Sequence, residues 1–269
     1  MRRKPTLCLC AALLLCLLGG CGLAEPPVIQ YRDRELPVAE GVPVNAYAAE
    51  AFSAQDGVVT YEGGTAQYGI DVSTHQGDID WQAVKNDGVD FAIIRAGYRG
   101  YGADGLLHED AKFQQNMRGA LDAGLQVGVY FFSQALTADE AREEADLLLS
   151  LIEPYRAEID YPVVFDWELI PDVGARTDGI DMSTLTDVAE GFCTSVAEAG
   201  FRPAVYFNQD LGYLSYDIAR ISAYDLWLAE LNTVPAFYYD FQIWQYSHTG
   251  TVAGVSGNVD RNICFRSYP

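Results

Sequence analysis

The sequence predicts an α/β fold: an irregular TIM-like barrel of about eight strands, with helices mainly between the first five or six, in a (β/α)5β3-like arrangement. Three observations carry this. Residues 81–97, 117–133 and 195–208 ("WQAVKNDGVDFAIIRAG", "MRGALDAGLQVGVYFFS", "SVAEAGFRPAVYFN") share one construction, a helical stretch ending in Gly and then an apolar run. Gly at that place accepts the left-handed backbone that stops a helix. An apolar run of strand length after it marks an αβ unit of a parallel sheet. Strand-like runs recur about eight times, and no Gly-rich phosphate loop follows any of them, which argues against a doubly wound open sheet.

The elements follow in chain order. "MRRKPTLCLCAALLLCLLGGC" has a basic start and an apolar run to Leu18, too short for a comfortable span, so residues 1–20 read as a secretory leader. Leu18-Gly19-Gly20-Cys21 resembles a bacterial lipobox, which makes Cys21 the lipidated new N-terminus; an ordinary leader cut near Ala24 is the alternative. Residues 21–67 are acidic, with scattered Pro and Ala and no sustained periodicity, and are expected to be a flexible tether. Within them "GVVTYEGG" is a candidate hairpin.

The barrel is expected over 68–269. Its strands fall near 68–73, 91–97, 126–133, 161–168, 203–208, 225–231, 241–247 and 258–265. Helices are expected around 79–87, 108–123, 138–153 and 183–199. The third opens with Thr137 and Glu140 in capping-box spacing and stops before Pro154. "LGYLSYDIARISAY" holds a short or irregular helix, and the last three strands follow one another directly.

Charge narrows the partners. The chain carries 17 Lys and Arg against 38 Asp and Glu, a net charge of −21. Losing residues 1–20 would remove three positive charges and no negative ones. Nucleic acid and anionic headgroups are therefore poor partners, and contact with a membrane is expected only through the lipid anchor. Of six cysteines, only Cys193 and Cys264 lie beyond Cys21, so this is no disulfide scaffold. They could pair or remain buried free thiols.

"YPVVFDWELI" (161–170) begins as a strand covered on both faces and then places Asp166 and Glu168 on one side of it, because strand side chains alternate. Other strands also end in polar residues: Asp71, Arg95 and Asn208. In a parallel barrel the chemistry sits at the C-terminal ends of the strands. Two carboxyl groups at one mouth allow one to protonate a leaving oxygen while the other steadies charge, the division of labour that cuts glycosidic bonds. The competing reading is a pair of acids salt-bridged to a barrel arginine such as Arg95. A metal site is disfavoured, since His75, His108 and His248 lack ligand spacing.

Three stretches, "YGIDVSTHQGDIDWQAVKNDGVDFAIIRAGYRG", "YPVVFDWE" and "IWQYSHTGTVAGVSGNVDRNICF", together resemble glycoside hydrolase family 25, the lysozymes related to the Chalaropsis and phage muramidases. The resemblance runs from about Tyr68 to Phe265. It implies a monomeric enzyme that needs no cofactor and cuts the β-1,4 bond between N-acetylmuramic acid and N-acetylglucosamine in peptidoglycan glycan strands. It further implies Glu168 as general acid/base and Asp166 as the group that orients the substrate acetamido, with Asp71 and Asp260 tuning the pair. Tyr98, Tyr130, Trp227 and Tyr246 are candidates to stack on sugars, and Gln245 to hydrogen-bond them; barrel filling is the plainer role for any one ring. The chain departs from the family pattern at Leu231, Arg261 and Ile263.

Overall fold

A computed structural model describes residues 27–268. The expected leader and Cys21 lie outside the described residues. Residues 27–38 form a small unit of their own, a hairpin of β1 (Val28–Tyr31) and β2 (Arg34–Pro37).

The second unit runs from Ala39 onward. It opens with a second hairpin, β3 (Phe52–Gln55) and β4 (Val58–Tyr61). Asp56 and Gly57 both have positive φ (50° and 78°) at its turn, as a two-residue hairpin of type I′ requires. The barrel elements follow: β5 (Gln67–Val72), α1 (Trp81–Asn86), β6 (Phe91–Arg99), β7 (Leu107–Glu109), α2 (Phe113–Asp122), β8 (Gln126–Ser133), α3 (Ala138–Ile152) and β9 (Ile159–Trp167). Then come α4 (Leu185–Glu198), β10 (Pro203–Asn208), α5 (Gln209–Leu214), α6 (Ile218–Ile221), β11 (Asp225–Ala229), β12 (Ile243–Gly250) and β13 (Val259–Cys264).

Strands β5, β6, β8, β9, β10, β11 and β12 run parallel, and β13 closes the barrel antiparallel to both β12 and β5. The eight expected strands and the four main helices are all present, with no helix between β11, β12 and β13. The three helix-stopping glycines, Gly88, Gly124 and Gly200, have φ of 88°, 76° and 85°. Thr137 accepts the Glu140 N–H and caps α3. Inside the barrel Phe91, Ile93, Tyr161, Val164, Ile243 and Cys264 belong to one buried cluster. Cys193 and Cys264 are separate buried thiols.

One expectation is corrected. Residues 39–61 are not a free tether but a strap against the barrel. Val44 bridges to Tyr239, and the Asn45 N–H donates to the Tyr238 carbonyl at 2.9 Å. The Tyr47 ring stacks on Phe265 at 4.1 Å, and its hydroxyl donates to the Phe241 carbonyl at 2.6 Å. Phe52 meets Trp244 edge-on, and Tyr61 meets Phe265 in the same way. The physical reason lies in the missing helices. Strands β12 and β13 carry large apolar side chains on their outer faces, and these rings cover them. Among the described residues no helix is long and apolar enough to cross a membrane.

Candidate active site

Asp71 is the penultimate residue of β5 and Asp166 the penultimate residue of β9, with Glu168 just past the end of that strand. Between the two acids Trp167 points the other way; it is fully buried and its indole N–H donates to the Ala135 carbonyl at 3.1 Å. The Gln134 amide donates to the Glu168 backbone carbonyl at 2.9 Å and accepts from the Thr177 hydroxyl. Glu168 is thus held on a short, braced segment. β13 runs against its neighbours, so its N-terminal end reaches the same mouth, and Asp260 stands opposite Asp71 in the ladder.

A hydrogen-bond network fixes Asp71. The Gln245 and Asn262 amides donate to its Oδ2 at 2.9 and 2.8 Å. Asn262 accepts in turn from the Trp227 indole, and Gln245 from the Tyr206 hydroxyl. Arg95 forms no ion pair with the catalytic candidates, although its charge offsets part of the upward push on Asp166. Its Nε and Nη2 both go to Asp110, at 2.8 and 2.7 Å. The salt-bridge reading of Asp166 and Glu168 therefore has no support in the geometry.

Four carboxyl groups with so little compensation resist ionisation. Burial, then repulsion from Asp260, pushes Asp71 well above the usual carboxylate range. Burial and the charge of Glu168 do the same to Asp166. Glu168 is raised by burial and by Asp260. Asp260 is raised by burial, although His248 and a hydrogen bond with Asp71 pull it down. Two carboxyl groups hydrogen-bond only if one is protonated, and the deeper Asp71 is the one that keeps the proton. One Asp166 oxygen, Oδ1, is buried without any partner.

All four acids line a cleft of about 800 Å³ at the barrel mouth. Tyr98, Tyr130, Trp227 and Gln245 line it too. Tyr98 stacks on His108 at the rim and remains partly exposed. Trp227 and Tyr130 are deeper, packed edge to face at 6.3 Å, and form the floor. Tyr246 does not line this cleft but borders a neighbouring groove beside Ser247 and His248. It neighbours Gln245 on one strand, so the two point to opposite faces; Tyr246 packs outside against Trp244. Arg261 and Ile263 flank Asn262 and likewise face outward, whereas Leu231 sits on the cleft rim. Tyr206, Asn262, Gln134 and Asp110 were not singled out from the sequence. Alternation about Asp260 could have found Asn262, but nothing local marks the others. Among the described residues no group of His, Cys, Asp and Glu is arranged to hold a metal.

Known proteins carry the same domain. The sequence profile of the "Glycosyl hydrolases family 25" matches residues 70–255. The chain is 32% identical over 202 residues to Lysozyme M1 of Streptomyces globisporus, covering 72% of this chain and 66% of that protein. It is similar to the modular autolysin LytC of Streptococcus pneumoniae, solved with a synthetic peptidoglycan ligand, with TM-score 0.65 and 25% identity over 79% of this chain and 52% of that one. It also resembles a bacterial lysozyme of Streptomyces coelicolor, with TM-score 0.59 and 28% identity over 74% of this chain and 91% of that one. The chain spans less than two thirds of the length of the first two of these. With the profile matching well over half of its residues, the chain belongs to glycosyl hydrolase family 25.

Proposed function

We propose that the chain is a peptidoglycan hydrolase, an N-acetylmuramidase that cuts the β-1,4 bond between N-acetylmuramic acid and N-acetylglucosamine. The observation that carries this reading is the Asp166–Glu168 pair in the cleft: two raised carboxyl groups, free of any salt bridge, one with a buried oxygen lacking a donor. Glu168, whose proton burial and Asp260 hold more tightly than in an ordinary glutamate, protonates the departing glycosidic oxygen. Asp166 orients the substrate acetamido group by accepting its N–H. The acetamido carbonyl oxygen then attacks the anomeric carbon as the glycosidic bond breaks. Water opens the resulting ring and returns a proton to Glu168, which leaves the anomeric configuration retained. Asp260 supplies the charge that helps keep Glu168 protonated, and Asp71, holding its own proton, anchors Asp260. The reaction uses no cofactor.

The likeness to lysozymes supports a wall substrate, and a wall substrate fits an exported protein anchored through a lipid on Cys21. Digestion of purified cell walls, followed by identification of the new reducing ends, tests the activity. Muramic acid ends are expected. N-acetylglucosamine ends would indicate cleavage of the other glycosidic bond of the strand, and binding to walls without any release would indicate a hydrolase for chitin-like polymers or a non-catalytic surface protein. For the anchor, Cys21→Ser is expected to move the protein from membrane to medium with its specific activity intact. A Cys21→Ser variant that stays with the membrane would overturn the lipobox reading.

A further inference from the structure

The cleft does not stop at the barrel mouth. Leu231 and His248 line it, and the same two residues line a second groove of about 440 Å³. That volume falls within the roughly 300–1,000 Å³ of ligand-holding clefts. Asn232 and Thr233, just after β11, form one wall; Ser247 and Thr249 of β12 form another. The third wall is the strap hairpin, through Ala54, Gly57 and Val59. Leu231, 55% exposed, is the apolar saddle between the two spaces.

The lining chemistry selects the occupant. No Asp, Glu, Lys or Arg borders the second groove, although 20% of the chain is charged. Apart from His248 at the junction with the cleft, a phosphorylated or strongly cationic ligand would find no countercharge there. Hydroxyls, an amide and the Tyr246 ring beside short apolar side chains suit a neutral sugar, which offers hydroxyl edges and apolar faces. Continuity with the cleft decides which sugar. A strand threaded through the mouth reaches the groove across Leu231 without leaving the surface. We propose that the groove is a distal subsite for a further acetamido-sugar unit of the same glycan strand. Its hairpin wall comes from residues before 70, outside the family match. The inference rests on the cleft being a glycan site.

Peptide-free glycan strands, long ones and the shortest fragment that is hydrolysed, are the probes. Ala54→Trp and Thr233→Trp fill the groove from exposed positions. Each is expected to lower kcat/KM on long strands about tenfold, within the range a single pocket contact discriminates, and to leave the shortest fragment unaffected. Thr249→Ala, which removes one hydroxyl without adding bulk, is expected to give a smaller loss of the same kind. Melting temperatures equal to the parent's separate this from misfolding. Equal rates on long and short strands in all three variants would overturn the distal subsite and leave the hydrolase reading intact. A parent enzyme that cuts no strand of any length would overturn both.

Discussion

Glu168 stands where burial and the charge of Asp260 act in the same direction, both holding its proton on. Glu168→Gln keeps the shape but cannot donate that proton. Positioned acid catalysis is worth about 10²–10⁴-fold, so wall hydrolysis is expected to fall by at least that factor. Stability is expected to move the other way. A carboxyl group whose folded pKa is raised stabilises the fold below its unfolded pKa and loses that contribution as pH rises through the folded value. The variant removes the loss, so its melting temperature in the alkaline range should match or exceed the parent's. Asp260→Asn tests the field. Without that negative neighbour Glu168 ionises more easily, its pKa falls, and the basic limb of the pH–rate profile moves to lower pH. An unmoved limb would show that Asp260 does not act on Glu168.

At the scale of elements, α3 and the end of β6 show how the mouth is braced. Arg99, the last residue of β6, donates to Glu144 of α3 at 2.7 Å, to the Glu140 carbonyl at 2.8 Å and to the Gly105 carbonyl at 2.9 Å. It thereby pins the loop after β6, part of which lines the cleft. Burial pushes Glu144 up to about 7, against the pull of Ser133 and Arg99. Arg99→Met strands that carboxyl group. Above the raised pKa, where Glu144 must carry charge, the cost is expected to be about 3–5 kcal/mol, as for other broken buried pairs. The cost should shrink as pH falls towards the ordinary glutamate range, and melting curves at two pH values would read the difference. Such pairings were not legible in the sequence. Helix stops at Gly88, Gly124 and Gly200, the Thr137 cap and the shared face of Asp166 and Glu168 were, because each depends on residues a few positions apart. The choice of Asp110 by Arg95 depends on β6 meeting a loop that no periodicity announces. Tyr246 shows the opposite case: the alternation that paired Asp166 with Glu168 also separates Tyr246 from Gln245, and it was legible throughout.

For the molecule as a whole, the strap does the work of the absent helices. The acidic, Pro-scattered composition of 21–67 pointed to a tether because composition averages over residues, whereas docking needs only a few rings in register. Deleting residues 27–61 would uncover Trp244, Tyr246 and Phe265 together. A variant so shortened is expected to melt lower, bind hydrophobic dyes and aggregate; a soluble, fully active one would restore the tether reading. Closure of the barrel has a further consequence, in time rather than in energy. β5 cannot complete its pairing until β13 exists, and Tyr47 finds its partners only at Phe241 and Phe265. At about 5–20 residues per second the ribosome needs roughly 10–40 s to pass from one partner to the other. Through that interval the strap's aromatic rings and one edge of the growing sheet stand open. The last strand made therefore sets the moment of folding, and a chain that stops short of β13 never reaches it.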